Sequence, residues 1–221
     1  MTRSDREFDI IVFGATGFTG RLVAEYLHLS GADGARWAIA GRNLDKLGLV
    51  RDELHLPPAV ALLKADASDP ASLKALVARA RVVITTVGPY QLHGEPLATA
   101  CAEGGTDYVD LCGEPLWMAR MIDKLTPAAR QSGARIVFSC GFDSIPFDLG
   151  VVYLQAEAQA RFGAPLAEVR GRVARLKGGA SGGTLASMME TIEAIRRDHS
   201  LIKVMVNPFS CLLYTSPSPR D

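Results

Sequence analysis

A doubly wound α/β fold, a parallel sheet with helices on both faces, is the fold class this sequence predicts, and three observations predict it. From Phe8 onward, short β-branched apolar runs alternate with helix-length amphipathic stretches, the rhythm of βαβ units. The runs, such as IIVF, VVITTV and RIVFS, are apolar throughout, as strands buried on both faces must be. A glycine-rich stretch, GATGFTG, separates the first run from the first helix. The chain has the material for such a core, since its 221 residues are 48% hydrophobic and 22% charged.

The elements follow in order. Strands are expected near residues 9–13, 37–40, 61–65, 82–87, 108–111 and 135–139. In the first helix Leu22, Val23, Tyr26 and Leu27 recur at three-to-four spacing and give a face to press on the sheet. Asp69-Pro70 places a capping carboxylate before a proline at the first helical position. Gly94-Glu95-Pro96 repeats that device, and Thr126-Pro127 restarts a helix in the segment after Gly113. Six strands with short connections predict the spatial order 3-2-1-4-5-6 of the two-halved, Rossmann-type dinucleotide fold.

After Gly141 the rhythm changes. A helix over 145–161 begun at Pro146, a strand over 169–176, a glycine-rich loop over 178–183 and a helix over 184–199 predict the start of a second domain. The expected organisation is a Rossmann-type domain over 1–144 and a truncated α/β substrate domain over 145–210. Residues 211–221, CLLYTSPSPRD, have no periodicity. Back-translated, they spell in frame the transposon-end adapter used to prepare sequencing libraries, so they are expected to be an artefact attached to a chain that naturally continues past Ser210.

Charge and cysteine content narrow the function classes. Lysine plus arginine and aspartate plus glutamate both number 24, so there is no basic field to neutralise a nucleic-acid backbone. The start, MTRSDREFDI, lacks the apolar stretch of a signal peptide, and no apolar run of about 18 residues follows, which predicts a cytoplasmic protein without a transmembrane segment. Cys101, Cys112, Cys140 and Cys211 show no metal-ligand spacing and are expected to be reduced thiols, mostly buried.

The glycine stretch carries the chemistry. Gly14 permits a tight turn, Gly17 lets the backbone approach a pyrophosphate, and Gly20 allows close packing of helix on strand. Gly14, Ala15, Thr16, Gly17, Phe18 and Thr19 are therefore expected to wrap the pyrophosphate at the helix N-terminus. The second strand ends Ala40-Gly41-Arg42, where an NAD enzyme would place an acid on the ribose hydroxyl. Arg42 instead offers paired donors to the 2′-phosphate of NADP, or else is a solvated loop charge. Asp66, ending the third strand, either accepts from the adenine amino group or prepares the next helix with Ser68 and Asp69. Gly88 and Pro89 are expected to shape the turn that carries the nicotinamide ribose.

Three segments converge on the same crevice: Tyr90 to His93, Cys112-Gly113-Glu114, and Cys140 to Pro146. Tyr90 and Asp143 are the candidates for donating a proton after hydride transfer, with His93 a third. Each has a structural alternative: Tyr90 stacks on the cofactor, Asp143 caps the helix at Pro146 with Ser144, and His93 satisfies a loop carbonyl. No tyrosine is followed four residues later by lysine, so the short-chain reductase pair is absent.

FGATGFTG, AGR, TTVGPY, GTDYVDLCGE, CGFDSIPFDLG and SGGTLAS stand in the order and approximate spacing of the saccharopine dehydrogenase-like proteins, and the chain from Phe8 to Ser210 resembles their trans-acting enoyl reductase branch. The resemblance implies an NADP-binding domain followed by an α/β substrate domain, in chains about twice this length. It places the glycine loop, Arg42, Asp66 and the Gly88-Pro89-Tyr90 turn in the cofactor site. The activity it implies is NADPH-dependent reduction of an enoyl thioester or related lipid intermediate, with saccharopine-type imine reduction as the enzymatic alternative. A sensor or scaffold that binds NADP without turnover is the alternative of another class. The expected partner is a small-molecule or acyl-thioester substrate, and a homodimer through the missing domain is left open. On the last helix Met188, Met189 and Ile192 either line an apolar pocket or form ordinary core.

Overall fold

The computed structural model describes residues 5–30, 34–175, 177–179 and 182–207. Six parallel strands, β1 (Phe8–Phe13), β2 (Trp37–Gly41), β3 (Ala61–Lys64), β4 (Ala80–Thr85), β5 (Asp107–Asp110) and β6 (Ile136–Val137), lie in the order β3-β2-β1-β4-β5-β6. This is the predicted order. Helices α1 (Phe18–Leu29), α2 (Leu44–Glu53), α3 (Pro70–Val77), α4 (Tyr90–Gly104) and α5 (Pro115–Ser132) connect them.

The alternation of side chains along each strand separates two cores. Ile11, Phe13, Ala38, Ala40 and Val83 pack with α3, α4 and α5, whereas Val12 and Ile39 pack with Ala24 of α1 and Leu47 and Val50 of α2. The second core stops at β1. In register beside it, Val82 and Ile84 of β4, Val109 of β5 and Val137 of β6 continue the same face of the sheet without joining either core, and Val137 is 47% exposed.

Several helix starts differ from expectation. The Asp69 carboxylate accepts from the Ala71 N–H with Pro70 at the first position, as predicted. Gly94-Glu95-Pro96 is no start: α4 begins at Tyr90 and carries Pro96 inside it. Gly94 serves packing instead, because a Cβ there would lie 2.7 Å from the Trp117 ring. Thr126-Pro127 likewise lies inside an unbroken α5, where the Thr126 hydroxyl donates to the Ile122 carbonyl, one turn back, at 2.6 Å. The buried stripe Trp117, Met118, Met121 and Leu125 holds that helix together across the proline.

On α1 the inward face is Gly20, Val23, Ala24 and Leu27, while Leu22 and Tyr26 are 48% and 70% exposed. The helix lies too close to the sheet for larger groups, since a Cβ on Gly20 would stand 2.2 Å from the Gly14 carbonyl oxygen. β4 ends at Thr85 rather than Val87, because the Val87 N–H turns back to the Thr85 hydroxyl at 3.3 Å.

Beyond the sheet lie α6 (Ile145–Phe162), α7 (Gly182–Arg197) and the short α8 (Ile202–Val206). The strand expected over 169–176 is not formed over its described part, 169–175, and adds nothing to the six-stranded sheet. The expected loop over 178–183 gives way at Gly182 to α7; its residues 180 and 181 lie outside the described residues, as do Ser210 and the expected adapter segment 211–221. Among the described residues, no helix is long and apolar enough to cross a membrane.

Candidate dinucleotide and substrate site

Parallel strands end together, so the loops after β1, β2, β3 and β4 meet at one edge of the sheet. A cleft of about 310 Å³ opens there, lined by Gly14, Thr16, Gly17, Arg42, Asp66, Gly88 and His93 among others. Gly14 has a φ of +91°, the left-handed side where a side chain is strained, and its added Cβ would lie 2.7 Å from Val87 Cγ2. Gly17 occupies the N-cap position of α1, and no side chain caps that end. The first-turn N–H groups, with the helix dipole behind them, are thus the expected partners of a phosphate.

The cleft passes the test of fit for a dinucleotide: the loop is shaped by positions where any Cβ would collide, and a cation stands at its far end. Arg42 is exposed at the cleft wall. Asp66 faces the same cleft; its carboxylate accepts from the Ser68 N–H at 2.9 Å and the Ser68 hydroxyl at 2.8 Å. The Ser68 N–H bond, more than Arg42 nearby, holds the Asp66 carboxyl below its usual range. Ala15 is fully buried in the α1 and α2 core and offers only backbone to the loop, whereas Phe18 and Thr19 open α1. Pro89 stands at the N-cap of α4.

A second cavity, of about 640 Å³, shares Gly88 with the first in its lining. It holds Tyr90, Asp143 and one face of α7, from Thr184 to Ile195. The two expected proton donors, Tyr90 and Asp143, are therefore brought together, and His93 is not with them: it lies on the dinucleotide side with Arg42 and Asp66. Tyr90 is buried, its hydroxyl donating to the Thr85 carbonyl at 3.2 Å and accepting from the Leu111 N–H at 3.4 Å. Burial, reinforced by the Asp110 charge, pushes its phenol well above the ordinary range. Asp143 is exposed, and neither it nor Ser144 caps α6 through a side chain.

Two buried carboxylates take part to which sequence reasoning assigned no role: Glu114, expected only as part of a segment reaching the crevice, and Asp110. Glu114, 1% exposed, accepts from the N–H groups of Tyr90 at 2.9 Å and Gln91 at 2.8 Å, and from the Ser187 hydroxyl at 2.6 Å. It stands before Pro115 and so resembles a cap of its own helix, but its side chain caps α4 instead. Gln91 adds a second tie to α7 by donating to the Thr191 hydroxyl at 3.1 Å. Asp110 accepts from the Tyr108 hydroxyl and from the N–H groups of Cys112 and Ser139, and burial pushes it up to about 6. The only local signal for either was an acid at or just after the end of a strand.

The described cysteines Cys101, Cys112 and Cys140 are free thiols; the first two are buried, and Cys211 lies outside the described residues. Among the described residues no cluster of histidine, cysteine and acidic groups is placed to hold a metal.

Residues 10–137 match the family model described as the saccharopine dehydrogenase NADP binding domain. A Mycobacterium tuberculosis protein is 47% identical over 210 residues, covering 95% of this chain and 50% of its own length. A Mycobacterium bovis protein named trans-acting enoyl reductase is 52% identical over 157 residues, 70% of this chain and 37% of that one. A Mycobacterium ulcerans protein of the same name is 41% identical over 222 residues, 99% of this chain and 53% of that one. The chain spans about half the length of the curated relatives it matches over most of its own length. Among solved structures, apo saccharopine dehydrogenase (L-Glu forming) from Saccharomyces cerevisiae shares the fold, with a TM-score of 0.50 at 19% identity over 69% of this chain and 32% of that one. The α/β sheet, the glycine cleft and the match over 10–137 agree, and the chain belongs to the saccharopine dehydrogenase family through its NADP-binding domain.

Proposed function

We propose that this chain is the NADPH-binding and hydride-positioning part of a reductase that acts on an enoyl thioester. The observation that carries the proposal is that Gly88 lines both the dinucleotide cleft and a second cavity walled by apolar side chains of α7 and by Asp143. A substrate carboxylate, as in an amino-acid-derived imine, would find the Asp143 carboxyl and, among the described lining residues, no lysine, arginine or histidine to pair with, whereas a thioester carbonyl is uncharged. The names of the mycobacterial relatives support the same choice.

Residues 1–144 form the cofactor domain in this reading, and 145–210 begin the substrate domain. Gly14, Ala15, Thr16, Gly17, Phe18 and Thr19 hold the pyrophosphate, Arg42 the 2′-phosphate, and Asp66 the adenine. The Gly88-Pro89-Tyr90 turn orients the nicotinamide ribose. When bound, NADPH supplies the hydride. Tyr90 acts by position, its hydroxyl spanning the Thr85 carbonyl and the Leu111 N–H, and Asp143 passes a proton from solvent to the carbon beside the thioester carbonyl.

The test is to follow NADPH absorbance with the full-length protein, since the present residues alone are expected to bind cofactor without turnover, supplying a 2-enoyl-coenzyme A in one series and an aldehyde with an amine in another. Consumption with the enoyl thioester is expected. Consumption only with the imine precursors, or cofactor binding with no consumption in either series, would overturn the proposal.

A further inference from the structure

We infer that the cavity beyond Gly88 is a subsite for a hydrophobic acyl chain, and that α7 sets the chain length accepted; this deepens the reading above and rests on it. The hydroxyls of Ser187, Thr191 and Tyr90 on the cavity wall are already engaged. The Ser187 hydroxyl donates to Glu114, the Thr191 hydroxyl accepts from Gln91 and donates to the Ser187 carbonyl, and the Tyr90 hydroxyl spans Thr85 and Leu111. Asp143 and Thr184 stand on the same wall, and the other side chains left to meet a ligand, Leu111, Met188, Ile192, Ile195 and Met205, are all apolar.

These side chains are not a core. Met188, Ile192 and Met205 are 55%, 43% and 39% exposed, yet they line a cavity that shares Gly88 with the dinucleotide cleft. Its volume of about 640 Å³ lies within the usual range for small-molecule sites. α7 is two-sided: Thr184, Ser187, Met188, Thr191, Ile192 and Ile195 line the cavity, while Glu193 and Arg197 pair with each other one turn apart. An extended alkyl chain entering past Gly88 would lie along the first face and cover the apolar groups that water now meets. Flexible methionines suit chains of varying shape.

Burial of one methylene strengthens binding by about fourfold. The full chain, loaded with NADP⁺, is titrated calorimetrically with butanoyl-, octanoyl- and dodecanoyl-coenzyme A, which are saturated and cannot be reduced. Octanoyl is expected to bind at least about tenfold more tightly than butanoyl, fewer than three buried methylenes being enough. Ile192→Asp is expected to abolish that preference and to leave NADP⁺ affinity unchanged. The control is Met189→Asp, a neighbouring, 63% exposed position outside the cavity lining, and it is expected to keep the preference. A wild-type protein indifferent to chain length, or equal effects of the two variants, would overturn the subsite. Chain-length-dependent binding without NADPH consumption on any enoyl thioester would instead overturn the reductase reading and leave the subsite standing.

Discussion

At the scale of single residues, two side chains carry separate consequences. Arg42 stands exposed at the cleft, and in the proposed role it gives a 2′-phosphate charge-assisted hydrogen bonds of about 1.5–3 kcal/mol. Arg42→Ala is expected to weaken NADPH binding by about ten- to a hundredfold and NADH binding little, as measured by titrating cofactor fluorescence; an equal loss for both would remove Arg42 from the site. Asp110 bears on stability. Its folded value of about 6 lies above that of the unfolded chain, so between about pH 4 and 6 the folded state keeps a proton that the unfolded state has released. The protonated group favours folding fully below about pH 4, and the benefit of about 3 kcal/mol is lost as pH rises through 6. Asp110→Asn keeps the shape, its amide able to donate to the Tyr108 oxygen in place of accepting. Urea unfolding across this range is expected to show wild-type stability falling relative to the variant; parallel curves would refute the shift.

At the scale of elements, Glu114 is the point where three helices are tied. It leads into α5, caps the first turn of α4 through Tyr90 and Gln91, and receives the Ser187 hydroxyl from α7. Glu114→Gln exchanges a charged acceptor for a neutral one with a donor facing N–H groups, and is expected to cost about 1.5–3 kcal/mol in denaturant unfolding. Ser187→Ala is expected to cost about 1 kcal/mol, and the double variant less than the sum; strict additivity would mean that the bridge does not form. This tie also marks what the sequence could and could not disclose. The six strands of the sheet, their order, the Asp69 cap and the glycine loop rest on neighbours in the chain and were legible, whereas the seventh strand expected over 169–176 was not formed over its described part. The starts of α4 and α5 were not, because Pro96 and Pro127 mimic helix openings while the contact of Gly94 with Trp117 is tertiary. In the site, the Gly14 loop, Arg42 and Asp66 could be placed from their distance to a strand end. Glu114 and Ser187, 73 residues apart, could be paired only once α7 was seen against α4.

For the whole molecule, burial divides the chain near residue 145. Before it, helices and sheet close two dense cores; after it, α6 buries only Ala158 and exposes apolar groups around its circumference, Val152 at 62% and Phe162 at 75% among them. A helix apolar on every side is ordinarily enclosed, and the row Val82, Ile84, Val109 and Val137 leaves an apolar half-face of the sheet uncovered by α1 and α2. The stability of the first domain is thus expected to be independent of α6. Changing Val152 and Phe162 together to glutamate is expected to shift urea unfolding, followed by the fluorescence of Trp37 and Trp117, both in the first domain, by no more than about 0.5 kcal/mol, because neither changed side chain belongs to a core. The same double variant is expected to bind less of a hydrophobic dye in its native state, since the exposed apolar surface on α6 shrinks. Leu97→Ala provides the contrast: Leu97 is 1% exposed inside the core beneath α4, and its truncation is expected to cost about 2–5 kcal/mol. If the α6 variant instead unfolded as readily as Leu97→Ala, α6 would be part of the first domain, and the boundary between cofactor domain and substrate domain would have to lie beyond Phe162 rather than before Ile145.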